Sequence, residues 1–261
     1  MSHAFDLPAL QAQLCDLPGV VIAFSGGVDS TVLLAAALDT LGHDRVLAVI
    51  ADSPSLARIE LKQAQEIAAS LGASLETLIT EELDDARYQA NSGDRCFWCK
   101  EQLFLFAEPA AKSRGWALAY GENADDVGED RPGARSAQQR GVLAPLRSAG
   151  WSKAHVRAYA ASLGLSVADK PAAPCLASRI AVGVAVDLET LERIEAVELK
   201  LRKQGYEILR ARHLANREMA LEFGDADYPR AKTESLQLQQ LAHSFGYTDC
   251  SIRRYQSGSV A

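Results

Sequence analysis

No stretch of this chain is apolar for long enough to cross a bilayer. The longest runs are Gly19–Phe24 and Val32–Leu38, against the roughly 20 apolar residues a span requires. The start, Met1-Ser2-His3-Ala4-Phe5-Asp6, carries no lysine or arginine ahead of an apolar stretch, so a cytoplasmic location is expected and a secretory leader is not. No run of Lys or Arg exceeds two residues and the formal net charge is −7. That balance disfavours a nucleic-acid partner, which would call for a basic stripe, and no membrane partner is expected either. Cysteine is sparse and odd in number, five in 261 residues. Without a leader, this count argues against a disulfide framework and leaves metal or redox chemistry open. What the chain does have is an ordinary globular composition, 48% hydrophobic and 23% charged. Its length suits one large domain, or one medium domain plus a small one.

Strand and helix patterns alternate through the first two thirds. Val20–Phe24 reads as a short buried parallel strand and Val46–Ile50, Leu75–Ile79 and Ala117–Tyr120 as further strands, with helices at Ser30–Leu41, Ser55–Leu71 and Lys100–Arg114, the last disturbed at Pro109. Another helix opens after Ser152, a plausible cap, and runs to about Leu163. The alternation predicts a doubly wound parallel α/β sheet, with ligands at the carboxyl ends of its strands. Beyond the stiff segment Lys170–Pro174 the order changes to helix Leu188–Gln204, strands Tyr206–His213 and Met219–Phe223, helix Leu236–Phe245 and strand Thr248–Tyr255. This predicts a large domain of residues 1–182 and a small α+β domain of residues 183–261.

Ser25-Gly26-Gly27-Val28-Asp29-Ser30 follows the first strand and opens a helix. Backbone N–H groups and two hydroxyls converge there on the positive end of a helix dipole, a setting for an oligophosphate. The lysine of a Walker A loop is missing, so this is a different cradle. The hexapeptide resembles the SGGxDS signature of the PP-loop ATP pyrophosphatases, which form adenylates from ATP and release pyrophosphate. Ser53, after the second strand, stands where such proteins hold adenosine, although a simple serine-capped turn explains it equally well. Gly121-Glu122-Asn123-Ala124-Asp125-Asp126 and Glu129-Asp130-Arg131-Pro132-Gly133 place acids after the fourth strand. Asp29, Asp125 and Asp126 are candidate Mg²⁺ ligands against phosphates, since bunched carboxylates repel unless a cation joins them.

Arg95-Cys96-Phe97-Trp98-Cys99-Lys100 sets two thiols at a helix start, and Cys175 lies in Pro174-Cys175-Leu176-Ala177-Ser178-Arg179, with Arg179 near enough in sequence to favour a thiolate. Three cysteines can hold a [4Fe–4S] cluster with one iron left for an outside ligand, whereas structural zinc wants a fourth ligand that no histidine spacing supplies. Cys15 and Cys250 read as core residues. Leu188, Leu191, Ile194, Val197 and Leu201 form one helical stripe that includes Glu198, a carboxylate in need of a partner. Alternation puts Ile208, Arg210 and Arg212 on one strand face. Two guanidiniums there suit a substrate phosphate or carboxylate, or else pair with Glu198 or Glu222.

Taken together, Ser25–Ser30, Arg95–Lys100, Gly121–Gly133, Pro145-Leu146, Lys170-Pro171, Pro174–Arg179, Glu198 and Arg210–His213 resemble the LarE-type sulfur transferases that make the nickel-pincer nucleotide cofactor. The resemblance spans nearly the whole chain. It implies that ATP adenylates a carboxylate of pyridinium-3,5-dicarboxylate mononucleotide, a small-molecule nucleotide substrate, and that sulfur replaces the activated oxygen. In the single-cysteine version the residue matching Cys175 sacrifices its sulfur. In the three-cysteine version Cys96, Cys99 and Cys175 hold a [4Fe–4S] cluster carrying an extra sulfide, and this sequence has all three thiols. The resemblance also implies a homo-oligomer, a hexamer built from trimers. One departure is that Asn216–Glu222 lacks the family's arginine directly before its apolar-Glu pair, with Arg217 at a neighbouring position. Two other readings share the ATP loop: a PP-loop tRNA thiolase, and an amide-forming ligase of the NAD-synthetase kind that needs no thiols.

Overall fold

The computed structural model describes residues 5–126 and 132–256. Met1–Ala4 and the acids Glu129 and Asp130 with Arg131 lie outside the described residues. The chain forms two compact units, one from residues 1–82 and 96–173 and the other from residues 83–95 and 174–261. A single cut at residue 182 does not describe this division. Segment 83–95 is held in the second unit by Gly183 N donating to Asn91 O at 3.0 Å and Val186 N to Gln89 O at 2.9 Å.

In the first unit, Val20–Ala23 (β1), Val46–Asp52 (β2), Ser74–Ile79 (β3) and Ala117–Tyr120 (β4) pair in parallel in the order β3-β2-β1-β4. Side chains alternate across the pleat, and both faces are covered at β1 and along most of β2. Val20, Ile22, Val46, Ala48 and Ile50 join Val32, Leu33 and Leu34 of helix Val28–Leu41. Val21, Leu47 and Val49 join Ala107 and Ala111 of helix Arg95–Arg114. Burial on both sides is why β1 and Val46–Ile50 of β2 read as unbroken apolar runs rather than alternating ones, whereas β3, at the edge of the sheet, is partly exposed and carries Ser74, Glu76 and Thr77. Since β2 and β3 lie to one side of β1 and β4 to the other, the connections after β1 and β4 leave in opposite directions. A crevice opens at such a switch point.

In the second unit, Leu209–His213 (β5), Glu218–Phe223 (β6) and Asp249–Arg254 (β7) pair in the order β5-β6-β7, antiparallel between the first two and parallel between the last two. Helix Leu188–Lys203 packs on β5 and helix Ser235–Ser244 on β7.

Several sequence expectations shift in detail. The helix expected from Ser55 begins at Arg58, because Ser53 Oγ takes the Ser55 N–H at 3.2 Å and Ser53 O takes the Leu56 N–H at 3.0 Å, forming a turn. Pro109 sits inside helix Arg95–Arg114 without ending it. The stripe of helix Leu188–Lys203 is buried from Leu191 onward, whereas Leu188 is half exposed. Cys250 is buried as expected, but Cys15 is exposed: it falls past the end of helix Leu7–Ala12, where Leu10 and Leu14 take the inward positions. Arg217 belongs to a left-handed turn with Asn216 (φ 57° and 58°) ahead of β6, so it stands outside the strand that carries Glu222.

Candidate active site

The loop after β1 is folded by its own hydroxyls. Ser30 Oγ donates to Gly27 O at 3.1 Å and lies 3.1 Å from Ser25 Oγ, which in turn accepts from Gly27 N at 3.3 Å. Ser25 N donates to Ser30 Oγ at 3.2 Å. Gly26 has φ +67°, and a Cβ there would lie 2.6 Å from Ala64 Cβ, so both backbone and packing demand glycine. Helix Val28–Leu41 starts from Gly27 with no side-chain cap, which leaves its first N–H groups for an anion. Gly121 closes the other side of the crevice: a Cβ on it would lie 2.6 Å from Ser30 N and 2.8 Å from the Asp29 carbonyl carbon. The end of β4 thus rests directly on the loop backbone. Ser53, at the end of β2, is buried in its turn.

The acids form a network around two residues that sequence reasoning did not single out, Asn123 and Lys153. Asn123 Nδ2 donates to Asp29 Oδ1 at 3.1 Å and to Asp126 Oδ2 at 2.9 Å, and Asn123 Oδ1 accepts from Asp125 N at 2.9 Å. Lys153 pairs its ammonium with Asp29 Oδ2 and donates its backbone N–H to Asp125 Oδ2 at 2.8 Å. Lys153 is delivered as the first residue of helix Lys153–Ser162, which Ser152 caps by accepting from His155 N at 3.3 Å. The Lys153 ammonium thus meets Asp29, while Asp125 is met by a backbone N–H and Asp126 by the Asn123 amide. Among the described residues no three His, Cys, Asp or Glu side chains are gathered as a metal-binding group. A Mg²⁺ ion here would draw on one or two of Asp29, Asp125 and Asp126 together with phosphate oxygens, the usual way that ion is held.

Cys96 and Cys99 lie one turn apart at the start of helix Arg95–Arg114, Cys96 exposed and Cys99 half-buried. In the same turn Lys100 reaches across to β4, with Nζ 4.3 Å from the Tyr120 ring centroid. Its stem is pressed by Gly133, where a Cβ would come within 2.9 Å of Lys100 Cδ. Burial holds the Lys100 ammonium below the usual lysine range, opposed by the charges of Glu122, Cys96 and Cys99. Burial and a hydrogen bond with Glu122 push the Tyr120 hydroxyl far above its ordinary value. Glu122 is itself buried, with Oε2 2.9 Å from Arg147 Nη1 but out of line for a hydrogen bond. Lys100 therefore links the thiol helix to the strand whose next residue supports the loop at Ser25–Ser30.

In the second unit Cys175 precedes the 3₁₀ turn Leu176–Arg179. Its carbonyl accepts from Ser178 N at 2.9 Å, Ser178 Oγ at 2.7 Å and Arg179 Nη1 at 3.0 Å. The Arg179 guanidinium, expected to favour a thiolate, is engaged with Glu198 through two bonds of 3.0 and 3.2 Å and with the carbonyls of Pro174 and Cys175. Glu198 has found its partner: both side chains are buried, and Glu198 Oε1 also accepts from Ala211 N at 3.0 Å. Arg212 donates to Glu222 Oε2 at 3.0 Å and to Ser178 O at 2.8 Å, so one reading of the strand face, pairing with Glu222, is realised at this residue. Arg210 stacks 5.3 Å from the Tyr255 ring centroid and donates to Leu209 O at 2.8 Å. Burial and the neighbouring Arg179 lower its proton affinity. Cys250 stands apart chemically, its thiol pushed up to about 11 by burial and by Asp249.

Ser25, Gly26, Gly27, Asp29, Ser30, Ser53, Gly121, Asp125, Asp126, Cys96 and Cys99 thus belong to the first unit, and Cys175, Glu198, Arg210 and Arg212 to the second. A parallel sheet that delivers a serine- and glycine-lined loop to a helix start, faced across a switch point by an acidic turn, defines an adenine-nucleotide-binding domain of the PP-loop type. A family model described as NAD synthase matches residues 10–119. The chain is 38% identical to an uncharacterised protein of Synechocystis sp. over 94% of this chain and 92% of that one. It is 33% identical to the pyridinium-3,5-bisthiocarboxylic acid mononucleotide synthase of Lactiplantibacillus plantarum, over 78% of this chain and 74% of the synthase. A shorter stretch is 44% identical to an NH(3)-dependent NAD(+) synthetase of Pyrobaculum aerophilum, over 21% and 20% of the two chains. The chain belongs to the LarE family of that synthase and is an ATP-using sulfur transferase.

Proposed function

We propose that the enzyme adenylates a carboxylate of pyridinium-3,5-dicarboxylate mononucleotide and converts it to a thiocarboxylate. A carboxylate oxygen attacks the α-phosphorus of ATP and pyrophosphate leaves. Sulfur then attacks the acyl carbon, and AMP departs with the oxygen. The observation that carries this reading is the placing of the loop Ser25–Ser30 and the thiols Cys96 and Cys99 in one unit, tied through Lys100, Tyr120 and Gly121. The loop's N–H groups and hydroxyls hold the phosphates, and Ser53 lies toward the adenosine. One or two of Asp29, Asp125 and Asp126 would hold Mg²⁺ against the phosphates. Arg210 and Arg212 bind the nucleotide phosphate or carboxylate, and Glu198 orients Arg179 and the Cys175 turn.

For the source of sulfur, Cys96, Cys99 and Cys175 are a donor set of the right chemistry for a [4Fe–4S] cluster, and they would hold it. Bound there, it supplies an exchangeable sulfide at the iron that no cysteine occupies. Anaerobic reconstitution with iron and sulfide, followed by Mössbauer spectroscopy, is expected to give about four irons per chain and much less in Cys175→Ala. Undiminished assembly in that variant overturns the ligand assignment. Intact-protein mass after turnover separates the two sulfur sources, because sacrifice of Cys175 removes about 34 Da as H₂S. The same resemblance implies a homo-oligomer, hexameric or trimeric, which light scattering on the purified chain would measure.

A further inference from the structure

Asn91 is almost fully buried, at 1% exposure, and adopts φ +49°, a left-handed conformation that asparagine tolerates better than other side-chain-bearing residues. Every polar atom of its side chain is used. Oδ1 accepts from Arg95 Nη1 at 2.5 Å, and Nδ2 donates to Ala181 O at 2.8 Å and Val184 O at 3.0 Å. Its backbone oxygen takes the Gly183 N–H at 3.0 Å. Arg95, also buried, is the residue directly before Cys96. Ala181 follows the turn Leu176–Arg179 that begins at Cys175, and its own N–H is fixed on His213 O at 2.9 Å at the end of β5. All of these groups lie within the second unit.

We propose that Asn91 is a positioning residue for the sulfur chemistry: it locks the segment that leads into Cys96 to the segment that follows Cys175. The inference rests on the reading above, that these thiols act as one set. A buried amide suits the task because its two ends differ. The oxygen must face a guanidinium while the nitrogen faces two carbonyls, so the hydrogen bonds select one register between the two segments. Losing that register misplaces thiols that Asn91 does not itself supply, and a misplacement of about 1 Å is enough to change rates severalfold or more.

The test uses the full chain, reduced and freed of metal, treated with dibromobimane, which bridges two neighbouring thiols. Mass spectrometry then locates the bridge. Wild type is expected to link Cys175 to Cys96 or Cys99. Asn91→Asp keeps the shape and the bond to Arg95 but turns an oxygen toward the two carbonyls, and Asn91→Gly keeps the left-handed backbone without the side chain. Both should lower the bridging yield about tenfold while ATP affinity, a property of the first unit's loop, stays within about twofold. Equal bridging in wild type and in either folded variant overturns the role of Asn91 and leaves the function intact. Absence of the bridge in wild type overturns the reading of the thiols as one set, and the inference with it. Should both variants fail to fold cooperatively, Arg95→Lys, which weakens only the bond to Oδ1, gives the same readout.

Discussion

Gly26 and Glu198 show how much a single residue decides here. Gly26→Ala meets two penalties at once, a left-handed φ of +67° and a Cβ 2.6 Å from Ala64 Cβ. The conformational part alone costs about 1–2 kcal/mol. The variant should therefore melt earlier and lose ATP affinity, as calorimetry and titration with ATP would measure; unchanged values for both would contradict the loop geometry. Glu198→Ala leaves Arg179 buried without its carboxylate, a change that typically costs about 3–5 kcal/mol. Urea denaturation should show a loss of that order, and the thiol reactivity of Cys175 should rise as its turn loosens. The need for a partner at Glu198 was legible from helical periodicity. That the partner is Arg179 was not, because the two meet only when helix Leu188–Lys203 docks beside the turn.

At the level of elements, short connections are held by caps and charge clamps. Ser152 caps the helix that presents Lys153 to Asp29, so Ser152→Ala should cost about 1 kcal/mol and weaken ATP binding through Lys153. Helix Pro132–Gln139 is tied to helix Arg95–Arg114 by Arg140, which bonds Glu101 at 2.8 Å and Glu108 at 2.6 Å. Arg140 holds the Glu101 carboxyl below the usual range, and Lys112 and Arg140 do the same for Glu108. A carboxyl lowered in the folded state stabilises it above the unfolded value, near 4.3, and that contribution disappears as pH falls through the folded value. The difference in melting temperature between wild type and Arg140→Met should thus be full at neutral pH and shrink below about pH 4. A difference independent of pH would assign Arg140 to packing alone. The central strands β1 and β2 were legible because both-face burial writes apolar runs; the start at Arg58 was not, since hydroxyl and guanidinium bonds to the backbone override the periodic pattern.

For the whole molecule, the decisive prediction concerns the thiols of the first unit. Cys96→Ala with Cys99→Ala should abolish repeated sulfur transfer while sparing pyrophosphate release, since the loop Ser25–Ser30 keeps its own hydrogen bonds. Retained multiple turnover, followed by product mass spectrometry, would point instead to an ammonia-using ligase. The amino-acid sequence by itself determined the parallel α/β class, the serine- and glycine-rich loop that opens helix Val28–Leu41 and the family resemblance, because local pattern and residue chemistry carry those facts. Only the tertiary structure decided that residues 83–95 join the second unit, that Lys153 and Asn123 answer the acidic turn, and that Arg179 serves Glu198. Those pairings bring together residues far apart in the chain, and the burial that makes them strong exists only after folding.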